Sequence, residues 1–298
     1  MAYHGGTVFS HIDTVLQDYD FYNDFRVSRL CSESYAKKLF ASKQALVELG
    51  VAEADVHFSA RFPCDEEKFV KQTLSDLTQQ GVLPGDAYNT AAYSEYAKLI
   101  DQQYLHGDYA TYIYPEEAQL LYALCAITKP KRVAFLGAYY GYWAAWAFPH
   151  IQEANGMAYL LDVDQSVVDL ATRNICNLGF EGCVQAIRQN AIEFMHNTDE
   201  TFDMIVIDAE CDDSHPDPDF RGKAIYHPLL QAALPKLKQG GLVVCHNILL
   251  KSAINDAYMD SVIKKNMQEY KKFLPLAQAS LRKFIEYTST EGVGIGLK

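Results

Sequence analysis

From Tyr114 onward, short apolar runs alternate with stretches whose apolar residues recur every three to four positions. The runs fall at 133–136, 158–161, 184–187, 204–207 and 242–245. Short apolar runs of this length suit strands buried on both faces. Between the second and third runs, Val167, Leu170, Ala171, Ile175 and Leu178 share one face of a helix. Strands separated one by one by helices predict an α/β domain, a mostly parallel sheet covered on both sides. Pro115-Glu116-Glu117 marks a helix start, because proline suits the first helical position and acidic side chains suit the positive end of the helix dipole. The pattern changes at the end. Residues 283–289, a Thr290-Glu291-Gly292 turn and residues 293–298 read as a hairpin-like pair, so one antiparallel strand should close the sheet.

Residues 1–110 differ. They carry helical spacing and no strand-like alternation: one helix over 32–49 stopped by Gly50, one capped by Asp65 and running through Val70, Leu74 and Leu77 to Gly81, and one over about 87–104. The expected organisation is a helical N-terminal cap, 1–110, followed by an α/β domain, 111–298. Tyrosine is dense in the cap (Tyr19, Tyr22, Tyr35, Tyr88, Tyr93, Tyr96 and Tyr104 among others), which suits either a packed helical layer or an aromatic lid over a ligand.

Composition narrows the class. With 298 residues, 49% hydrophobic and 21% charged, the chain is a globular protein with a sizeable core. A net charge of -12 argues against a nucleic-acid surface, which needs clustered Lys and Arg, and leaves a small-molecule partner as the expectation. Seven cysteines without a CxxC pair fit neither a disulfide framework nor a zinc ribbon. No apolar stretch reaches the length of a membrane span and the first residues lack the form of a secretory signal, so no membrane association and a cytoplasmic setting are expected.

In a sheet of this type ligands sit at the carboxyl ends of the strands. After the first run comes Gly137-Ala138-Tyr139-Tyr140-Gly141, a turn in which glycine lets backbone approach a ligand. After the second come Asp162 and Val163, an acid placed to accept hydrogen bonds from ribose hydroxyls. After the third come Asn190 and Ala191, facing a nucleobase edge, and after the fourth comes Asp208. A dinucleotide site is disfavoured because the turn is not GxGxxG, the spacing a pyrophosphate requires.

The runs YPEEAQLLYALCAITKPKRVAFLGAYYGYWAAWA, GMAYLLDVDQSVVDLATRNICNLGF, FDMIVIDAE, LPKLKQGGLVVCHNIL and EGVGIGLK resemble, in this order, the small-molecule O-methyltransferases of the catechol and caffeoyl-CoA type, over about residues 110–298. The resemblance implies a Rossmann-like methyltransferase fold with a seven-stranded, mostly parallel sheet, S-adenosylmethionine as methyl donor, a hydroxylated or phenolic acceptor, and often a divalent metal and a homodimer. An N- or C-methyltransferase, or a non-catalytic S-adenosylmethionine-binding protein, remains open. Carried onto this chain, the donor site would comprise Gly137, Ala138, Tyr139, Gly141, Asp162, Val163, Asn190, Ala191 and Asp208, and the metal site Asp208, His246 and Asn247.

The chain departs from the family where chemistry happens. Phe135 and Trp143 stand where a glutamate and a serine help hold the donor's amino-acid end. The middle metal ligand is His246, although magnesium prefers oxygen. Cys211 stands where a lysine near the acceptor hydroxyl is expected. His246, together with Asp208, is then the candidate catalytic pair, with histidine able to act as base near neutral pH, as ligand or as a structural residue. Tyr139, Tyr140 and Trp143 are candidate neighbours of the sulfonium. The acidic stretch Asp212, Asp213, His215, Asp217 and Asp219 offers either extra ligands or a solvated loop, and with the N-terminal helices it is expected to complete the pocket.

Overall fold

The computed structural model describes residues 7–252, 254 and 257–298. The N-terminal part is helical: α1 Val8–Leu16, α2 Asp20–Arg26, α3 Ser32–Ala41, α4 Lys43–Glu48, α5 Glu53–Ser59, α6 Glu66–Gln79 and α7 Thr90–Gln103. The single helix expected over 32–49 is broken at Ser42, which leaves helical geometry at φ -93° and ψ 0°. Asp65 caps α6 as expected, accepting from Lys68 N. Two short helices, α2 and α5, of seven residues each, left too little periodicity to be seen in sequence, whereas the four-residue spacing of Val8, Ile12 and Leu16 in α1 is a legible signal.

The α/β part follows as α8 Pro115–Thr128, β1 Arg132–Leu136, α9 Tyr142–Ala145, α10 Phe148–Glu153, β2 Met157–Asp162, α11 Gln165–Asn177, β3 Val184–Arg188, α12 Ala191–Asn197, β4 Phe202–Ile207, α13 Tyr226–Ala233, β5 Leu237–Cys245, α14 Ala257–Glu269, α15 Phe273–Ser280, β6 Lys283–Tyr287 and β7 Val293–Leu297. The seven strands lie in the order β3-β2-β1-β4-β5-β7-β6. Strands β3, β2, β1, β4 and β5 are parallel, and β7 runs antiparallel to both β5 and β6. This is the Rossmann-like methyltransferase fold expected from the sequence, closed by the antiparallel strand.

Strand residues alternate between two cores. Val133 and Phe135 of β1, Leu160 of β2 and Val206 of β4 face one layer with α6, α7, α8, α10 and α11. Ala134, Leu136, Leu161, Ile205 and Ile207 face the other, with α12, α13 and α15. The first five helices gather a third cluster around Ile12, Leu16, Phe25, Tyr35 and Leu39, closed by Tyr114 at the entrance to α8. Most cap tyrosines are packing residues: Tyr96 donates to Ala145 O at 2.8 Å and Tyr104 to Tyr140 O at 2.6 Å. No helix among the described residues is long and apolar enough to cross a membrane.

Candidate active site

Backbone groups tie the carboxyl ends of β1 and β2 together, beside the switch in strand order between β1 and β4. Gly137 N and Ala138 N both donate to Leu161 O, at 3.0 and 2.9 Å. Gly137 takes φ +81°, and a Cβ there would lie 2.5 Å from Ala209 Cα, so only glycine lets the loop after β1 pass the loop after β4. Tyr139 is also left-handed, at φ 51°. Its N–H donates to Asp162 Oδ2 at 2.9 Å, while Asp164 N donates to Oδ1 at 3.1 Å. Asp162 thus locks the glycine turn to the end of β2, and each oxygen keeps a lone pair for a further donor. Asn190 Oδ1 caps α12, accepting from Ile192 N and Glu193 N at 2.9 and 3.3 Å.

These strand ends surround a cavity of about 780 Å³. Gly137, Tyr139, Asp162, Val163, Asn190, Ala191, Asp208, His246 and Asn247 all line it. Ala138 and Gly141 do not. Ala138 spends its N–H on Leu161, and Gly141, at φ +84°, is required by packing, since a Cβ would meet Leu160 Cδ2 at 2.9 Å. Of the aromatic candidates near the glycine turn only Tyr139 reaches the cavity. Tyr140 is fully buried, and Trp143 Nε1 donates to Glu117 O at 3.1 Å. Phe135, the other departure from the family, is 3% exposed in the core. The N-terminal helices supply one wall through Ala54 and Phe58 of α5, and Thr111, Tyr112 and Ile113 continue it.

His246 departs most from the sequence expectation. Its side chain is 2% exposed. Nε2 lies 2.9 Å from Glu117 Oε2, and Nδ1 lies 3.4 Å from Asp208 Oδ1 and 3.2 Å from Asn247 Oδ1. Both ring nitrogens therefore face acceptors only, which calls for a proton on each. Burial opposes that charge, but Glu117 and Asp208 outweigh it and raise the imidazole pKa to about 10. A ring protonated on both nitrogens has no lone pair at neutral pH. Of the three roles the sequence leaves open for His246, base, ligand or structural residue, this geometry suits the structural one, a buried imidazolium pairing two carboxylates.

Glu117, its partner, was read from sequence only as a helix-start acid. It sits fully buried, and Oε1 accepts from Ser289 Oγ at 2.6 Å and Glu291 N at 2.8 Å, while Oε2 accepts from Tyr114 N at 3.1 Å. Glu116 beside it accepts from Thr290 N and Oγ1 at 2.9 and 2.6 Å. Burial, and then the charge of Glu117, push the Glu116 carboxyl up to about 8. Apart from the Tyr114 contact, nothing local in the sequence reports the contacts to Ser289, Thr290 and Glu291, which span more than 170 residues.

The acidic stretch after β4 is not a ligand set. Asp213 pairs with Lys265 at 3.3 Å and Asp219 with Lys272 at 2.6 Å, while Asp212 and Asp217 accept from backbone within the loop. A backbone bridge between Cys211 and Gly222 pinches the loop at its base. Lys223 is thereby returned to the cavity, with Nζ 3.7 Å from Asp208 Oδ1 and 3.4 Å from Glu210 Oε2. Sequence reading did not single out Lys223 because it is the last residue of the insertion, 212–223, that the family resemblance does not cover. Cys211 also lines the cavity. Among the described residues no group of three or more His, Cys, Asp or Glu side chains is placed to hold a metal ion.

Residues 134–248 match the family model of a methyltransferase domain. That segment spans β1 to just beyond β5 and contains most of the strand ends described above. Fold and segment agree: the sheet has the Rossmann-like methyltransferase architecture, and residues 134–248 within it match a methyltransferase domain. No curated protein sequence matches the chain. Among solved structures it is similar to the O-methyltransferase TomG from Streptomyces achromogenes (20% identity, 68% of this chain and 87% of that one, TM-score 0.48). It is also similar to an O-methyltransferase from Bacillus cereus (16% identity, 78% and 100%, TM-score 0.47).

Proposed function

We propose that the cavity binds S-adenosylmethionine and a small hydroxylated, most simply phenolic, acceptor, and that the protein transfers the methyl group between them in line. One observation carries this reading: Gly137, Asp162, Asn190 and Asp208, from the ends of four successive parallel strands, line the same cavity of about 780 Å³, within the segment that matches a methyltransferase domain. That volume lies within the usual range of small-molecule sites, roughly 300–1,000 Å³. A ligand held among these four strand ends suits a nucleoside: Asp162 has lone pairs for ribose hydroxyls, Ala191 and Ile192 offer an apolar face, and Asn190 stands at the edge.

When bound, S-adenosylmethionine supplies a methyl group on a sulfonium sulfur. The acceptor oxygen forms the new bond to the methyl carbon as the carbon–sulfur bond breaks, the electron pair staying on sulfur and the acceptor proton passing to solvent. The chain's part is alignment, which is worth about 7–11 kcal/mol in well-oriented cases. The acceptor half of the cavity is walled by Phe58, Ile225 and Leu229 and carries its charge at Asp208, Glu210 and Lys223. His246 is not among the proton acceptors. A small-molecule partner, no nucleic acid, a homodimer and a cytoplasmic setting belong to the same reading: the net charge of -12 supports the absence of nucleic acid, seven free cysteines support the cytoplasmic setting, and the homodimer follows from the family resemblance.

Thermal unfolding with added ligands tests the reading. S-adenosylhomocysteine should raise the melting temperature by several degrees and NADH should leave it unmoved. A shift with NADH and none with S-adenosylhomocysteine would turn the site into a dinucleotide one.

A further inference from the structure

The family resemblance places a divalent ion at Asp208, His246 and Asn247. The donor set found there does not suit one. Asp208 Oδ1 already faces two nitrogen donors, His246 Nδ1 at 3.4 Å and Lys223 Nζ at 3.7 Å. Glu210, the next carboxylate toward the cavity, has the same ammonium 3.4 Å from Oε2. Asn247 is turned to Glu291, its Nδ2 donating to Oε2 at 3.4 Å, and its Oδ1 faces the imidazole. Two carboxylates that would attract a divalent cation thus share one resident amine.

Lys223 is fixed for this position. Its side chain is 12% exposed. Its N–H donates to Glu269 Oε2 at 3.1 Å, and Nζ lies 5.7 Å from the centre of the Tyr226 ring. The Cys211–Gly222 bridge sets where the chain re-enters the cavity. The ammonium therefore reaches the acceptor half from the far end of the insertion, one residue past Gly222, which bridges the position, Cys211, where the resemblance expects a lysine.

We infer that Lys223 is the resident cation of the acceptor site: it stands in for the divalent ion beside Asp208 and Glu210 and pairs with the acceptor oxygen, so this protein needs no metal. An ammonium next to a hydroxyl stabilises the oxyanion and so favours loss of its proton. A lysine in this role selects acceptors with one ionisable oxygen; a metal would select chelating oxygen pairs. The inference rests on the methyltransferase reading for the identity of the acceptor, but the metal exchange at Asp208 can be read without turnover.

The experiment adds manganese(II) in equimolar amount to the full chain and follows the free-ion signal by electron paramagnetic resonance. S-adenosylhomocysteine binding is measured by calorimetry on the same samples. Wild type and Lys223→Arg should leave the manganese signal unchanged, and Lys223→Ala should remove most of it, because Glu210 is then left without a cation and Asp208 keeps only the His246 imidazole, which it shares with Glu117. Uptake of one ion per chain by wild type overturns the inference, and so does a Lys223→Ala protein that binds S-adenosylhomocysteine yet takes up no manganese. Failure of wild type to bind S-adenosylhomocysteine would remove the methyltransferase reading and leave the manganese result standing on its own.

Discussion

Gly137 and His246 show how a residue's type and its role come apart. A glycine after the first strand reads as an opening for a ligand, and it does line the cavity. Its identity, however, is enforced from the other side by the backbone of Ala209. Gly179 makes a natural control, since it has φ +77° and nothing within 4 Å of the Cβ position. Gly179→Ala should cost only the left-handed backbone, about 1–2 kcal/mol. Gly137→Ala should cost about 3 kcal/mol or more, because the collision adds to the same strain. Denaturant midpoints measure both, and equal losses would mean that the approach to Ala209 does not fix the residue. His246 looked like a base because histidine titrates near neutrality in water. In the fold it faces Glu117 and Asp208 across low-dielectric packing, and its proton becomes structural.

At the scale of elements, the strands behaved as their patterns require, while the helix expected over 32–49 divided at Ser42. Period-two burial in β1, β2 and β4 splits neatly between the two cores, and Asp65 and Asn190 cap the helices they precede. Asn190 carries two roles that substitution can separate. Asn190→Ala should cost about 1 kcal/mol through the lost cap of α12. Asn190→Asp keeps a carbonyl-type oxygen for Ile192 N and Glu193 N, so stability should hold while affinity for S-adenosylhomocysteine falls with the loss of the amide N–H. Equal destabilisation by both variants, read from urea unfolding, would show that the cap is not what the side chain contributes. The start of α8 was legible only in part. Pro115 and the two glutamates announce a helix, but a first turn on the surface and one driven against the β6–β7 turn have the same sequence signature.

The whole molecule is held at one end by buried charge. Glu116, Glu117, His246, Asp208 and the 289–291 turn join α8, β4, β5 and the last hairpin beneath the cavity. The consequence is a sensitivity to alkali. In the folded chain Glu116 keeps its proton up to about 8 and His246 up to about 10, both above their values when unfolded. The folded state binds the extra protons, so these contributions are fully present at low pH and are lost as pH rises through 8 and then 10. The melting temperature should fall from neutral pH toward 10, and Glu116→Gln should flatten the part of the curve near 8. A glutamine oxygen can still accept from Thr290, so a mutant curve parallel to wild type would place the titration elsewhere.

The sequence by itself determined the alternation of strands and helices after Tyr114, the closing antiparallel strand and the strand-end residues that line the cavity, because each rests on periodicity or on local backbone demands read within a few residues. Tertiary structure decided the charge around Asp208 in the cavity. The proton on His246 depends on Glu117, 129 positions away, and Lys223 enters the cavity only because a loop outside the family pattern is pinched at its base. The wall from α5 is set by the packing of helices too short to announce themselves. Charge and reach in a buried site depend on which distant groups share its low dielectric, and only the folded chain brings those groups together.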